Sequence, residues 1–384
     1  MTSTTFDFQL DLCLRGSFDG GRRGDRGFGA GGASYIISKF LLKKTMLVTK
    51  QPVFKRFWYP VIPVAELGGE PKPFVLLGQP IALWLDSEGK PAAVEDRCCH
   101  RTAKLSLGKV VSGNISCAYH GWTFNSSGTC VRVPQQPNGA ISGNYKVKSY
   151  QACDRYGYVW VCLGEPIAEI PDIPEAADPN YRQIHEFYEP WNCAGLRVME
   201  NELDMAHPSF VHTATFGSEE HLAPDLMEFT ETEWELHYRS VLGVANPAQQ
   251  QQNLKIEQAE TVRTIDGIWF LPFTVKLRIA YPNGLVHIIV NTMTPIDDST
   301  SQMVQFCLRN DTENEAKTSD IIAFDRAVTL EDKRILETTD WDVPLDIAQE
   351  QHMLTDKPGI IIRRKIAALL KAHGEVEQTK VSSH

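Results

Sequence analysis

The chain of 384 residues is long enough for two or three compact domains with buried cores. With 38 Lys plus Arg against 48 Asp plus Glu, its formal charge of −10 has the wrong sign to gather a phosphate backbone, which argues against nucleic acid as a partner. Hydrophobic residues at 42% and charged residues at 22% match ordinary globular usage, so wholesale disorder and fibrous repeats are poor fits.

Residues 1–45 read as a disordered or mis-assigned extension. The run Gly20-Gly21-Arg22-Arg23-Gly24-Asp25-Arg26-Gly27 buries too little apolar area to offset its ordering entropy, and Met46 is a candidate start. Gly27, Gly29 and Gly32 fit GxGxxG by composition alone, with no apolar strand before them. Tyr35 to Val48, the best membrane candidate, is interrupted by Lys39, Lys43 and Lys44, so no integral membrane span is expected. Nine cysteines without a signal-peptide core point to reduced thiols in a cytoplasmic setting.

From Phe57 the chain becomes a series of short β-rich runs: 74–77, 81–85, 92–95, 114–117, 122–124, 130–133 and 157–162. The prolines at 166, 171 and 174 close this domain, giving expected boundaries of 47–165 and 166–372 with a disordered tail over 373–384. Residues 191–216 read as helix or helix plus loop. Strand-like runs follow at 233–242, 261–270, 273–280, 285–292 and 303–308, and helical spacing over 319–339, so the second half is α+β.

Two metal-ligand patterns lie on this frame. Cys98 and His100 form C-x-H, and Cys117 and His120 form C-x-x-H; each pair contributes one thiolate and one imidazole. Zinc is an alternative, but the 2+2 set suits a [2Fe–2S] cluster with two thiolates on one iron and two histidines on the other, whose lower negative charge raises the potential. Asn201, Asp204, His207 and His212 form N-x-x-D-x-x-H-x-x-x-x-H, with the first three at steps of one helical face. His212 is five residues beyond His207, which requires a bulge or break, and Pro208 is a plausible cause. Two imidazoles need a carboxylate to complete a facial triad that leaves iron(II) open to oxygen and substrate; Asp325, Asp332, Glu337, Asp340 and Asp342 are candidates. The other histidines, His287 among them, lack a partner at ligand spacing. Trp191, Trp269 and Phe273 are core or pocket residues.

The segments Cys98-Cys99-His100-Arg101 and Cys117-Ala118-Tyr119-His120-Gly121-Trp122 resemble the cluster-binding loops of the Rieske non-heme iron oxygenase family, with Cys99 where proline is usual. Over roughly residues 47–370 the chain is similar to the large subunits of ring-hydroxylating oxygenases, especially single-subunit monooxygenases and demethylases. The resemblance implies an all-β Rieske domain followed by a helix-grip (START-like) antiparallel-sheet catalytic domain. It implies a mononuclear Fe(II) held by His207, His212 and Asp332, the last in an E-D-x-x-x-x-E stretch, with Asp204 bridging to a neighbouring subunit's cluster and Asn201 orienting. It further implies a separate reductase or ferredoxin, a homotrimer, and use of O2 to hydroxylate or demethylate an aromatic or cyclic small molecule. A tetrapyrrole oxygenase of the pheophorbide or chlorophyllide type and a non-catalytic electron-transfer protein are the alternatives. Against the former, no C-x-x-C follows Asp332, the last cysteine being Cys307.

Overall fold

The computed structural model describes residues 44–379. The N-terminal domain is built from two antiparallel sheets. One orders its strands Tyr59–Pro63, Tyr158–Cys162, Ser149–Arg155, Pro91–Glu95, Gln79–Leu85 and Lys72–Leu76. The other is a ribbon of Lys109–Val111, Asn114–Ser116, Thr123–Phe124 and Cys130–Arg132. Trp84, Phe124 and Ile115 fill a small core of their own, which also takes in Cys98 and Cys117. That separate core fixes the cluster loops independently of the rest of the chain.

The C-terminal domain is a seven-stranded antiparallel sheet running Arg182–Trp191, Ser301–Arg309, Val286–Pro295, Thr274–Ala280, Glu260–Phe270, Glu235–Ala245 and Leu226–Glu231. Helices α1 (Gly195–Leu203), α2 (Pro208–Val211), α3 (Ala248–Leu254), α4 (Thr318–Leu336) and α5 (Lys357–Ala372) pack around it. The 19-residue α4 turns Ile321, Asp325, Thr329, Asp332 and Leu336 inward at three- and four-residue steps, the period of one buried helical face. An α+β class with an antiparallel catalytic sheet, as read from the sequence, is what is found.

The domains are joined by buried backbone contacts. Leu77 and Gly78 donate N–H groups to the Pro295 and Ile296 carbonyls, and the Thr294 and Gln302 side chains donate to the Pro60 and Val61 carbonyls. Trp191, Trp269 and Phe273 lie in the large shared core and do not line the cavity beside His207 and His212.

Three expectations need amendment. Of the tail expected from 373, residues 373–379 are tied to the fold, with the Glu375 carboxylate accepting the Val53 N–H and Gln378–Thr379 pairing antiparallel with Lys44–Thr45, while 380–384 lie outside the described residues. The expected disorder over 1–45 otherwise lies outside the described residues. Asn201, Asp204 and His207 do not share one helical face, because α1 stops at Leu203 and Asp204 is extended at φ −83°, ψ 117°. The Asp204 carboxylate accepts the Ala206 N–H at 2.8 Å, a local bond that competes with the helical ladder. The break therefore falls before His207, which becomes the N-cap of α2, with Pro208 at a helical first position that needs no N–H.

Candidate functional site

The two N-terminal loops repeat one backbone pattern. The Cys98 N–H bonds the Ala103 carbonyl while Thr102 donates back to Cys98; likewise Cys117 bonds Trp122 and Gly121 donates back to Cys117. Thr102 and Gly121 both take the left-handed conformation, at φ 59° and 70°, that lets so short a loop turn back on itself. The thiols of Cys98 and Cys117 are buried, and burial pushes Cys98 up to about 12. Such a thiol is stable as a thiolate only with a cation beside it. His100 and His120 lie with ring centroids 4.6 Å apart, and His100 stacks flat on Trp122 at 4.5 Å. His100 Nδ1 is buried without a hydrogen-bond partner, a donor free for a metal.

No three of these four ligand atoms fall within 4.8 Å of one another, whereas those of His207, His212 and Asp332 do. The first set therefore fits a two-iron cluster better than a single zinc ion, and the second set fits one ion. His207 Nε2 and His212 Nε2 are 3.2 Å apart, and each is 3.4 Å from Asp332 Oδ1, a near-equilateral triangle of donors. Burial holds the imidazoles neutral, lowering His207 to about 3 and His212 to about 4, the latter helped by Arg263. Burial and the neighbouring Glu202 push the Asp332 carboxyl well up, an arrangement that a divalent cation reverses. Two neutral imidazoles and one carboxylate on one face are the ligand set of an iron(II) with open positions.

The supporting residues are specific. Asn201 Nδ2 donates to Asp332 Oδ1 at 3.1 Å, which fixes the carboxylate, so the orienting role read for Asn201 has a partner. Glu331 Oε2 lies 3.0 Å from His212 Nδ1 and accepts the Thr215 hydroxyl at 2.7 Å. That carboxylate fixes the tautomer that turns His212 Nε2 toward the metal position. Sequence reading missed Glu331, although it adjoins Asp332; one step along a helix puts it on the other side of the ligand imidazole. Asp204 Oδ2 is 3.9 Å from His207 Nδ1, too far for a hydrogen bond, and that nitrogen has no partner. Of the competing carboxylates, Asp325 faces His287 at 3.2 Å and Glu337 accepts the Asn192 N–H. Asp340 and Asp342 are not in the donor triangle.

A cavity of ≈ 980 Å³, counting its open mouth, leads from the triangle into the sheet. Near the triangle it is flanked by Glu202, whose carboxyl burial raises to about 7 and which accepts the Asn291 side-chain N–H at 2.8 Å. His287, taken from sequence as structural or exposed, is buried in the cavity wall.

The likeness to known proteins falls on both sites. Residues 57–151 match the Rieske [2Fe–2S] domain, and residues 191–372 match the vanillate O-demethylase oxygenase C-terminal domain. Methylxanthine N1-demethylase NdmA of Pseudomonas putida is 28% identical over 350 residues, covering 88% of this chain and 95% of the relative. Its solved structure superposes with a TM-score of 0.72 at 26% identity, covering 88% and 100% of the two chains. Chlorophyllide a oxygenase of Chlamydomonas reinhardtii is 37% identical over 167 residues, only 42% of this chain and 25% of the relative. A dicamba monooxygenase structure has the same fold, with a TM-score of 0.72 at 23% identity, covering 83% and 98%.

Proposed function

This chain belongs to the Rieske non-heme iron oxygenases, and from that premise we propose that it hydroxylates or oxidatively demethylates a small aromatic or cyclic molecule with electrons from a separate reductase or ferredoxin. The observation that carries the reading is the His207–His212–Asp332 triangle opening onto a cavity. When bound, the [2Fe–2S] cluster relays single electrons and the mononuclear iron(II) activates dioxygen. Cys98, His100, Cys117 and His120 would hold the former, and His207, His212 and Asp332 the latter.

Asn201 lies between two spaces, lining both the substrate cavity and a polar cavity on the outer side of α1. Asp204 lines only the outer one, with a side chain 26% exposed, beside Arg197, His352 and Asp356. Exposed Phe210 and Tyr119, on α2 and on the second cluster loop, support a docked neighbour, and with it the head-to-tail trimer in which Asp204 bridges His207 Nδ1 to the next subunit's cluster. A carboxylate so placed holds a proton between two imidazoles and orients both.

Substituting Asp204→Asn is expected to lower turnover about 10–100-fold, the cost typical of losing an outer-shell partner, with iron content unchanged. Steady-state assay beside metal analysis checks this; iron lost in step with activity would make Asp204 a ligand instead. The tetrapyrrole reading has less support, because its relative matches over less than half of this chain while NdmA matches over most of it. No helix among the described residues is long and apolar enough to cross a membrane. Every cysteine among them is unpaired, which supports a reducing, cytoplasmic setting.

The test of the activity is aerobic incubation of the reconstituted protein with a surrogate reductase, labelled dioxygen and a panel of phenolic and methoxy-aromatic compounds. One labelled oxygen atom in product, or loss of a methyl group, is the expected result. Reducing equivalents consumed with no product from any of these compounds, nor from a chlorophyllide-type tetrapyrrole, would favour the electron-transfer alternative.

A further inference from the structure

The charged groups lining the substrate cavity are compensated, with one exception. Asp325 faces His287 at 3.2 Å, within a buried cluster that includes Glu186 and Cys307. Arg309 is held by Asp311 at 2.5 Å and by the Asn253 carbonyl at 2.9 Å. Asp332 belongs to the metal site, and Glu202 is a carboxyl shifted toward its neutral form by burial. Arg263 stands apart. It is 5% exposed, lines the cavity, and makes no ion pair among the described residues; its Nε and Nη2 have no hydrogen-bond partner. It packs on aromatic rings: the guanidinium lies 4.1 Å from the Phe216 ring centroid and 5.6 Å from that of Tyr281.

A buried guanidinium with unmatched donors is costly, because the rings replace only a fraction of the hydration that it gives up. A ligand oxyanion removes that cost, and the planar fork matches a carboxylate or sulfonate through paired N–H donors. We propose that Arg263 is the anchor for an anionic substrate, a ring compound bearing a carboxylate or sulfonate. Position adds to this. Phe216 stacks on His212 at 4.7 Å as well as lying beneath Arg263, so the anchor is one ring removed from a metal ligand. An anion seated there shares one cavity with His207, His212 and Asp332. Gln250 and Tyr281, both buried in the same wall, add polar contacts at the anchored end.

The inference rests on the oxygenase reading only for which end of the ligand reacts, so binding is measured without reductase or turnover. Thermal unfolding of the holoenzyme is followed with 4-methoxybenzoate and toluene-4-sulfonate, and with the neutral isosteres 4-methoxybenzamide and toluene-4-sulfonamide. At least one anion is expected to raise the melting temperature above its isostere. In Arg263→Gln that response is weakened about 30-fold or more in ligand concentration, the cost of removing one partner of a buried charge pair. The ligand-free melting temperature of this variant is expected to be unchanged or higher, since an unpaired buried charge has gone. Arg263→Lys, which keeps the charge but loses the fork, should retain a reduced preference for the anion. A wild-type protein that answers anion and isostere alike overturns the proposal, as does an Arg263→Gln protein that keeps the preference. A His207→Ala protein that binds the anion normally yet forms no product would locate any failure of turnover in the iron site rather than here.

Discussion

Replacing His207 with alanine is expected to abolish product formation, by at least about 10³-fold, since losing a ligand costs more than the 10–100-fold of losing its outer partner. The visible spectrum of the N-terminal cluster should be unchanged. Both halves follow from the packing. The variant leaves His212 and Asp332 as a two-donor remnant, and the Asp332 carboxyl, already pushed up by burial and Glu202, takes a proton in place of the metal. The cluster loops sit in a separate core with Trp84, Ile115 and Phe124, while Leu203 and Met205, next to the iron site, belong to the large core, so the cavity left at residue 207 does not propagate to Cys98 or Cys117. Absorbance of the cluster, iron analysis and product assay on one preparation check the prediction. Undiminished turnover would remove His207 from the iron site; a bleached cluster would show that the two sites do not fold independently.

The candidate cluster ligands could be picked out because each pair sits inside one short loop, where spacing in sequence is nearly spacing in space. The strand runs 261–270 and 273–280 appear at almost the expected bounds, since an alternating or β-branched run needs no tertiary information to be an extended segment. Arg182–Trp191 escaped notice: Glu186, Glu189 and Pro190 break its apolar pattern, and a register shift lies between His185 and Phe187, so Glu186 projects from a bulge rather than in alternation. The candidate iron ligands could be named from the sequence but their geometry could not, because the end of α1 is decided by the Asp204 side chain bonding the nearby Ala206 N–H. Arg263 was invisible for a deeper reason. A cation on a strand is unremarkable until the sheet register shows what faces it, and here no carboxylate does.

Arg363→Ala should be the most destabilising single change outside the sites, at about 3–5 kcal/mol, the cost of leaving buried charge without its counterion. The Arg363 side chain is 1% exposed on the inner face of α5. Its guanidinium donates to both carboxylate oxygens of Glu200 on α1, to Glu350, and to the Pro344 carbonyl at 3.0 Å. Arg197 closes the group, donating to Glu200 at 2.8 Å and to Glu350 at 2.5 Å. Two cations and two anions are thus balanced at the α1–α5 contact, and removing Arg363 leaves two carboxylates sharing one guanidinium. Burial alone would raise the Glu350 pKa, but the hydrogen bonds from Arg197 and Arg363 outweigh it and hold it below the ordinary range. A carboxyl lowered in the folded state contributes stability that is complete above its unfolded pKa and is lost as pH falls through the folded value. The variant should therefore show a lower denaturant midpoint at neutral pH and a flatter fall in stability on the acid side than the parent. Because Glu200 immediately precedes Asn201, which holds Asp332, the same substitution is expected to loosen iron while sparing the cluster, read as faster loss of iron to a chelator. An unchanged midpoint would mean that Arg197 alone satisfies both carboxylates and that the docking of α5 is held by its apolar face, Ile361, Ile362, Ile366 and Leu370.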